Sequence, residues 1–251
     1  MHKPTLRVLE ILELLSAAEN PMRLAEISRA LEIPKSTLLP ILQTMTQYRY
    51  LSKDSSDRYG LGMAMLGAAA AAGKLHSPAK FIKACLKELV EEFQETCYYG
   101  VLDGSRVLYL EKVDSPQPLR MLTAIGHRLP AYATGLGKAL LTDHTQAQLE
   151  ALYPNGLTPL TEKTIRDIPS LAAQLTAAGE DGYAWEIEES TDHIRCFAVP
   201  IRKNGKIVGA VSMAIPLFRY QEEKKEAIIA ALRGTSARLG NLLEQTQEQT
   251  V

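Results

Sequence analysis

The sequence predicts an α+β chain in two parts, an N-terminal winged helix-turn-helix and a larger domain with an antiparallel sheet and flanking helices. Three observations carry this. Met22 to Gly62 reads as a helix, a tight turn, a second helix and a small hairpin; an alanine run, Ala68 to Ala72, follows it; and Asp103-Gly104 and Asn204-Gly205 mark two hairpins farther on.

Taking the elements in order, Leu6 to Ala18 carries Leu6, Leu9, Leu12 and Leu15 and forms a helix that covers the back of the pair. Leu24, Ile27 and Leu31 recur at helical spacing and leave Arg23, Glu26 and Arg29 for the other side. Glu32, Ile33 and Pro34 end that helix, with Ile33 plugging the core and Pro34 placed to open the next. In the second helix Leu38, Ile41, Leu42 and Met45 form the buried stripe, whereas Lys35, Ser36, Thr37 and Gln43 lie off it or at its start. A helix presented in this way suits the major groove of DNA. Tyr50 to Ser52 and Arg58 to Gly60 form two short strands around a polar turn, where Lys53 and Arg58 would meet phosphates. Through residue 62 there are eight basic side chains against seven acidic ones, a net charge of +1. That is too weak a field for an indiscriminate nucleic-acid binder, so dimerisation and base contacts must supply affinity.

The whole chain has 251 residues, 46% of them hydrophobic, and a formal net charge of −1, which suits two medium domains. Three cysteines, Cys85, Cys97 and Cys196, show no close pair of the zinc-binding or redox type, so a reducing compartment is expected. Met1 to Arg7 lacks a signal-peptide apolar core, and no apolar run approaches the ~20 residues of a membrane span; the expected location is the cytoplasm. The domain boundary is placed in an alanine-rich helical linker over 63–78, which either transmits movement or acts as a passive spacer. The expected domains are thus 1–62 and 79–251.

In the larger domain an amphipathic helix near Phe81 to Phe93 buries Ile82, Cys85, Leu86, Leu89 and Val90. Tyr98 to Leu102 pairs with Arg106 to Val113, and Ile194 to Ile201 with Lys206 to Ala214. Helices are expected over Gly135 to Leu141, Thr145 to Leu152, Ile168 to Ala178 and Tyr220 to Glu244; Ile228, Leu232, Leu239 and Leu243 of the last serve core or subunit contact.

Gly126 to Lys138 carries the candidate chemistry. It is no phosphate loop, because Tyr132 stands where a glycine is needed and Ala139 where a Ser or Thr would hold magnesium. Thr134 as a helix N-cap would leave the amides of Gly135 and Leu136 pointing outward at the positive helix end, an arrangement that suits a carboxylate. A plain capped helix whose glycines serve packing fits the same residues. No spacing of Ser, His and acidic residues forms a nucleophile elbow, a metal triad or a flavin site, so neither catalysis nor a cofactor is expected. His76, His127, His144 and His193 are scattered, and Glu186, Glu188 and Glu189 read as a solvated strand end.

Four motifs run through the chain: Pro34-Lys35-Ser36-Thr37, Arg58-Tyr59-Gly60-Leu61-Gly62, Leu129-Pro130 to Ala139, and Ile194-Arg195-Cys196-Phe197-Ala198-Val199-Pro200. On these the chain resembles the IclR family of bacterial transcriptional regulators along essentially its whole length. The resemblance implies a winged helix-turn-helix joined by the linker to a GAF-like α/β effector-binding domain, homodimers or homotetramers, double-stranded operator DNA as one partner and a small organic acid as the other, with no catalytic activity. It adds Glu186, Cys196 and Ser212 as polar lining of the effector cavity and Met121 and Leu129 as its apolar wall. Cys196 reads equally as a small buried hydrophobe.

Three positions depart from the family pattern. Pro40 replaces a DNA-contacting arginine or other helix former, and a shifted helix start and altered base preference are expected from it. Arg49 stands where glycine is usual; a left-handed backbone there costs about 1 kcal/mol, and the side chain is a phosphate candidate. His193 replaces a glycine beside the cavity strand and would offer a donor to a hydroxylated acid such as a sugar acid. Ser36 and Thr37 then read bases, while Lys35, Arg49 and Arg58 hold phosphates. The expected function is repression relieved or altered by the acid. Alternatives are an activator of the same family, an organic-acid enzyme with an interaction module, and a structural DNA-bridging protein.

Overall fold

The computed structural model describes residues 2–18, 20–68, 79–118 and 123–245. The chain divides into two compact units, Met1–Ser77 and Pro78–Val251.

The first unit runs α1 (Lys3–Ala17), β1 (Met22–Arg23), α2 (Leu24–Ala30), α3 (Lys35–Gln47), β2 (Leu51–Lys53) and β3 (Arg58–Leu61). Its three strands are ordered β1-β3-β2, all antiparallel. Ile11, Leu15, Ile27, Ile33, Leu38, Leu42, Met45, Leu51 and Tyr59 form one core. In α1 the buried line is Ile11 and Leu15, and Leu9 is 52% exposed, contrary to the leucine stripe read from spacing. A repeat of three residues drifts by about 60° per step around a helix, so such a stripe cannot stay on one face. β1 was not foreseen; two residues pairing Met22 with Tyr59 and Arg23 with Arg58 leave no periodic signal.

Pro34 caps α3 (φ −56°, ψ 140°), and the helix runs unbroken through Pro40. The expected shift of its start does not occur, because proline's fixed φ suits a helix and the one bond lost is that of the Ser36 carbonyl at the exposed first turns. Arg49 does take the left-handed conformation, φ 62°. Its N–H donates to the Thr46 carbonyl (3.0 Å) and that of Tyr50 to Met45 (2.9 Å), the paired bonds of a Schellman cap. Gly62 closes the wing against this cap: a Cβ there would stand 2.2 Å from the Arg49 carbonyl oxygen. Residues 63–68 are helical; the rest of the expected linker lies outside the described residues.

The second unit contains α4 (Ala79–Phe93), β4 (Thr96–Asp103), β5 (Arg106–Val113), β6 (Arg128–Pro130), a 3-10 turn (Ala131–Ala133), α5 (Gly135–Leu141), α6 (Gln146–Leu152), α7 (Ile168–Asp181), β7 (Ala184–Ile187), β8 (Ile194–Lys203), β9 (Lys206–Pro216), a second 3-10 turn (Glu222–Lys224) and α8 (Lys225–Gln245). The antiparallel sheet is ordered β6-β5-β4-β9-β8-β7. Because neighbouring strand residues point to opposite faces, Cys97, Tyr99, Phe197 and Met213 meet α4 and α8, and Tyr98, Cys196, Ala198 and Ala214 meet α5 to α7. Ile228, Leu232 and Leu239 of α8 belong to the first of these cores.

Two glycines of α8 separate packing from propensity. A Cβ at Gly234 would meet open space, and one at Gly240 would stand 2.7 Å from the Arg202 carbonyl oxygen. Gly234→Ala should raise the unfolding free energy by up to about 1 kcal/mol and Gly240→Ala should lower it by about 1–3 kcal/mol, read by urea denaturation. Equal effects of one sign would contradict this packing of α8 on β8.

Candidate functional site

In the first unit Lys35 and Ser36 are exposed at the first turn of α3, Thr37 is half-buried beside them, and Gln43 is exposed two turns on. Arg49 is exposed just past the helix. Two expected phosphate contacts are already engaged. Lys53 pairs with Asp57 at 2.6 Å and lies 5.5 Å over the Tyr59 ring. Arg58 donates from Nη1 to the Pro21 carbonyl at 3.1 Å, with Glu26 at 3.9 Å, so it ties the wing to the entry of α2. That tie depends on β1, which brings Pro21 beside the wing and which the sequence did not reveal.

In the second unit the chain passes from β6 through the 3-10 turn to Thr134, an extended N-cap (φ −113°, ψ 143°) whose Oγ1 accepts from the Gly137 amide at 3.0 Å. No backbone carbonyl among the described residues accepts from the amides of Gly135 or Leu136. Both glycines also serve packing. A Cβ on Gly135 would stand 2.9 Å from that of Cys196, and one on Gly137 would stand 2.2 Å from the Ala131 carbonyl oxygen. Cap and packing therefore coincide.

Sheet register brings further expected residues to this face. Glu186 pairs with Cys196, Cys196 with Ala214, and Ser212 with both Ala198 and Tyr98. Thr134, Glu186, Cys196 and Ser212 are all buried, and Leu129 packs against the same core. Met121 lies outside the described residues. His193 does not join them: its side chain is 86% exposed, its backbone is left-handed (φ 62°), and its ring nitrogen Nδ1 stands 3.3 Å from Glu188. The glycine-like backbone turns the imidazole outward.

The acidic cluster is not a solvated strand end. Glu186 is 0% exposed, Glu188 7% and Glu189 6%. β7 alternates buried and half-buried positions, which sends Glu186 inward with Ala184. Its Oε2 accepts from the Glu189 amide at 2.8 Å. Glu189 forms an ion pair with Lys138, itself 1% exposed, and its other oxygen has no partner among the described residues. Glu188 is paired with Lys163. Burial pushes the Glu186 carboxyl up to about 7, against the opposing pull of Cys196, the Glu189 amide and Lys138. Burial likewise lowers Lys138 and raises the Cys196 thiol. Tyr98 and Tyr109 complete the surroundings, with ring centroids 5.3 Å apart edge to face. Lys138, Glu189, Tyr98 and Tyr109 were missed. In the sequence Lys138 stands in a failed phosphate-loop pattern, and the tyrosines read only as strand formers. Outside this set, a cleft of about 300 Å³ is lined by residues including Leu102, Leu140, His144 and Lys206.

A model of the bacterial transcriptional regulator IclR C-terminal domain matches residues 75–241, and one of the IclR helix-turn-helix domain matches residues 4–55. The HTH-type transcriptional regulator KdgR of Escherichia coli (strain K12) is 31% identical over 246 residues, spanning 94% of this chain and 92% of the relative. The HTH-type transcriptional repressor AllR of Salmonella typhi is 28% identical over 225 residues, spanning 87% and 81%. An IclR homolog from Microbacterium hydrocarbonoxydans, crystallised with 4-hydroxybenzoate, is similar in fold at a TM-score of 0.81 and 22% identity, covering 95% of this chain and 98% of that one.

The buried acid makes stability depend on pH. Glu186 has its folded value raised to about 7 from the ordinary 4.5, so its contribution is full below 4.5 and is lost as pH rises through 7. Between about pH 5 and about pH 8 the protein should lose about 2 kcal/mol relative to Glu186→Gln, whose amide oxygen can still accept from Glu189. Parallel urea titrations of the two proteins would test this; a constant difference would remove the buried acid.

Proposed function

The chain belongs to the IclR family of bacterial transcriptional regulators, and from that membership we propose a repressor that binds a specific operator and is controlled by a small organic acid. The observation that carries the proposal is the conjunction of two exposed features with one buried one. Lys35 and Ser36 open α3 beside a wing, as major-groove reading requires. The α5 cap, with the free amides of Gly135 and Leu136, sits against Cys196 in a unit of its own.

The proposed division is 1–62 for DNA, 63–78 as connector and 79–251 for effector and assembly. Ser36, Thr37 and Gln43 face bases; Lys35 and Arg49 face phosphates, and Lys53 and Arg58 contribute chiefly by shaping the wing. The effector's carboxylate meets the Gly135 and Leu136 amides, with Thr134, Glu186, Cys196 and Ser212 around it and Leu129 as apolar wall. Support for an acid comes from the 4-hydroxybenzoate in the fold relative, and for repression from the name of the AllR relative. Homodimers or homotetramers are proposed. Met63 and Leu66, 73% and 62% exposed, offer apolar surface for such a contact.

The test is capture of fragmented bacterial DNA by the full chain, in parallel with Ser36→Ala/Thr37→Ala. Discrete fragments should be retained by the first and lost by the second, and small carboxylates should alter retention without being consumed. Turnover of the acid would favour an enzyme instead. On a retained fragment Arg49→Ala should weaken binding alike across sequences and reduce the salt slope by about one unit. An unchanged slope would take Arg49 off the phosphate.

A further inference from the structure

The outward face of α3 is unusual for a helix that reads DNA. Leu38, Leu42 and Met45 are buried, which fixes the rotation of the helix. Ser36, Pro40, Gln43 and Gln47, spaced i, i+4, i+7 and i+11, therefore share the opposite face, and all four are exposed. Leu39 flanks this line at 39% exposure. Thr44, on the other flank, spends its hydroxyl on the Pro40 carbonyl at 2.9 Å. The only charged side chain on the whole helix is Lys35, at its first residue. The centre of the reading face is thus a pyrrolidine ring with a leucine beside it, and one turn further on the same face Gln43 carries both donors and an acceptor.

A ring without donor or acceptor cannot satisfy a base edge that it dehydrates, and an unpaired polar edge is costly. The one methyl group displayed by an unmodified base pair in the major groove is that on C5 of thymine, and it is the group apolar side chains contact there. A glutamine amide matches the N6 and N7 of adenine with two hydrogen bonds. We propose that Pro40 is a specificity-determining residue: it packs on a thymine C5 methyl in each half-site, and Gln43 reads an adenine next to it. This rests on α3 being the helix that enters the major groove.

The test uses the full chain. Random duplexes are selected by binding, the consensus is determined, and each of its thymines is replaced singly by deoxyuridine, which pairs identically but lacks the methyl. One position per half-site should lose affinity about four- to tenfold on this replacement. The loss should vanish in Pro40→Gly, a variant that regains a helix hydrogen bond, costs a helix less than proline does and has no side chain to reach the methyl. Pro40→Arg should move the preference at that position from thymine to guanine. A consensus in which every deoxyuridine changes affinity by less than about twofold, or a loss that persists in Pro40→Gly, would overturn the proposal while leaving DNA binding intact. No enrichment of any sequence would overturn both.

Discussion

Helix α5 can meet strand β8 and the 3-10 turn before it only because residues 135 and 137 lack side chains: a Cβ on the first would stand 2.9 Å from that of Cys196 in β8, and one on the second 2.2 Å from the Ala131 carbonyl oxygen in the turn. With the helix sunk this far, all seven of its residues are buried, Lys138 among them. A buried ammonium must be neutralised or it will lose its proton, and Glu189 supplies the counter-charge. Burial raises the carboxyl of Glu186, fully covered in the same region, by more than Cys196, the Glu189 amide and Lys138 lower it. One steric allowance thus sets the cap geometry and the electrostatics of the buried cluster together.

The smaller unit depends on a similar contact. Gly62 lies so close to the Arg49 carbonyl that any side chain would collide with it, and the Ala64 amide donates to that same carbonyl at 3.0 Å. The end of the wing and the end of α3 are fastened at one point. Arg49 holds a conformation natural to glycine there, and its two cap bonds offset a cost of about 1 kcal/mol. Arg58 fastens the other side of the wing through Pro21. The basic residues of this wing are structural members first, which is why counting cations in the sequence overstates those available to phosphate.

What the sequence made legible follows from how local each signal is. The two hairpins were readable because Asp-Gly and Asn-Gly announce tight turns, and α4 because five buried residues keep helical period across fifteen positions. Strands β1, β6 and β7, two to four residues each, have no period to detect and exist through their partners. The acidic cluster was misread for the same reason: three nearby glutamates look solvated until a lysine twenty-five or fifty-one residues away is folded beside them. His193 was misplaced because only backbone geometry, φ 62°, shows that a side chain at a glycine-like position is thrown outward. The Thr134 cap, by contrast, is encoded within four residues, and the sequence placed it correctly.

Charge and shape in the first unit lead to one view of how it holds DNA. Eight basic and seven acidic side chains through residue 62 leave a net charge of +1, so long-range attraction to a duplex is small. Lys53 is matched with Asp57, and Arg58 is drawn to Pro21 and Glu26, which lowers the share of charge free to displace counterions. Binding that relies little on counterions must come from contacts in the groove, and for those, as proposed, α3 has a nearly uncharged face centred on Pro40. Such a face gains from burying apolar surface and loses sharply wherever it covers an unmatched polar edge. In the proposed complex its discrimination comes mainly from penalising wrong sequences.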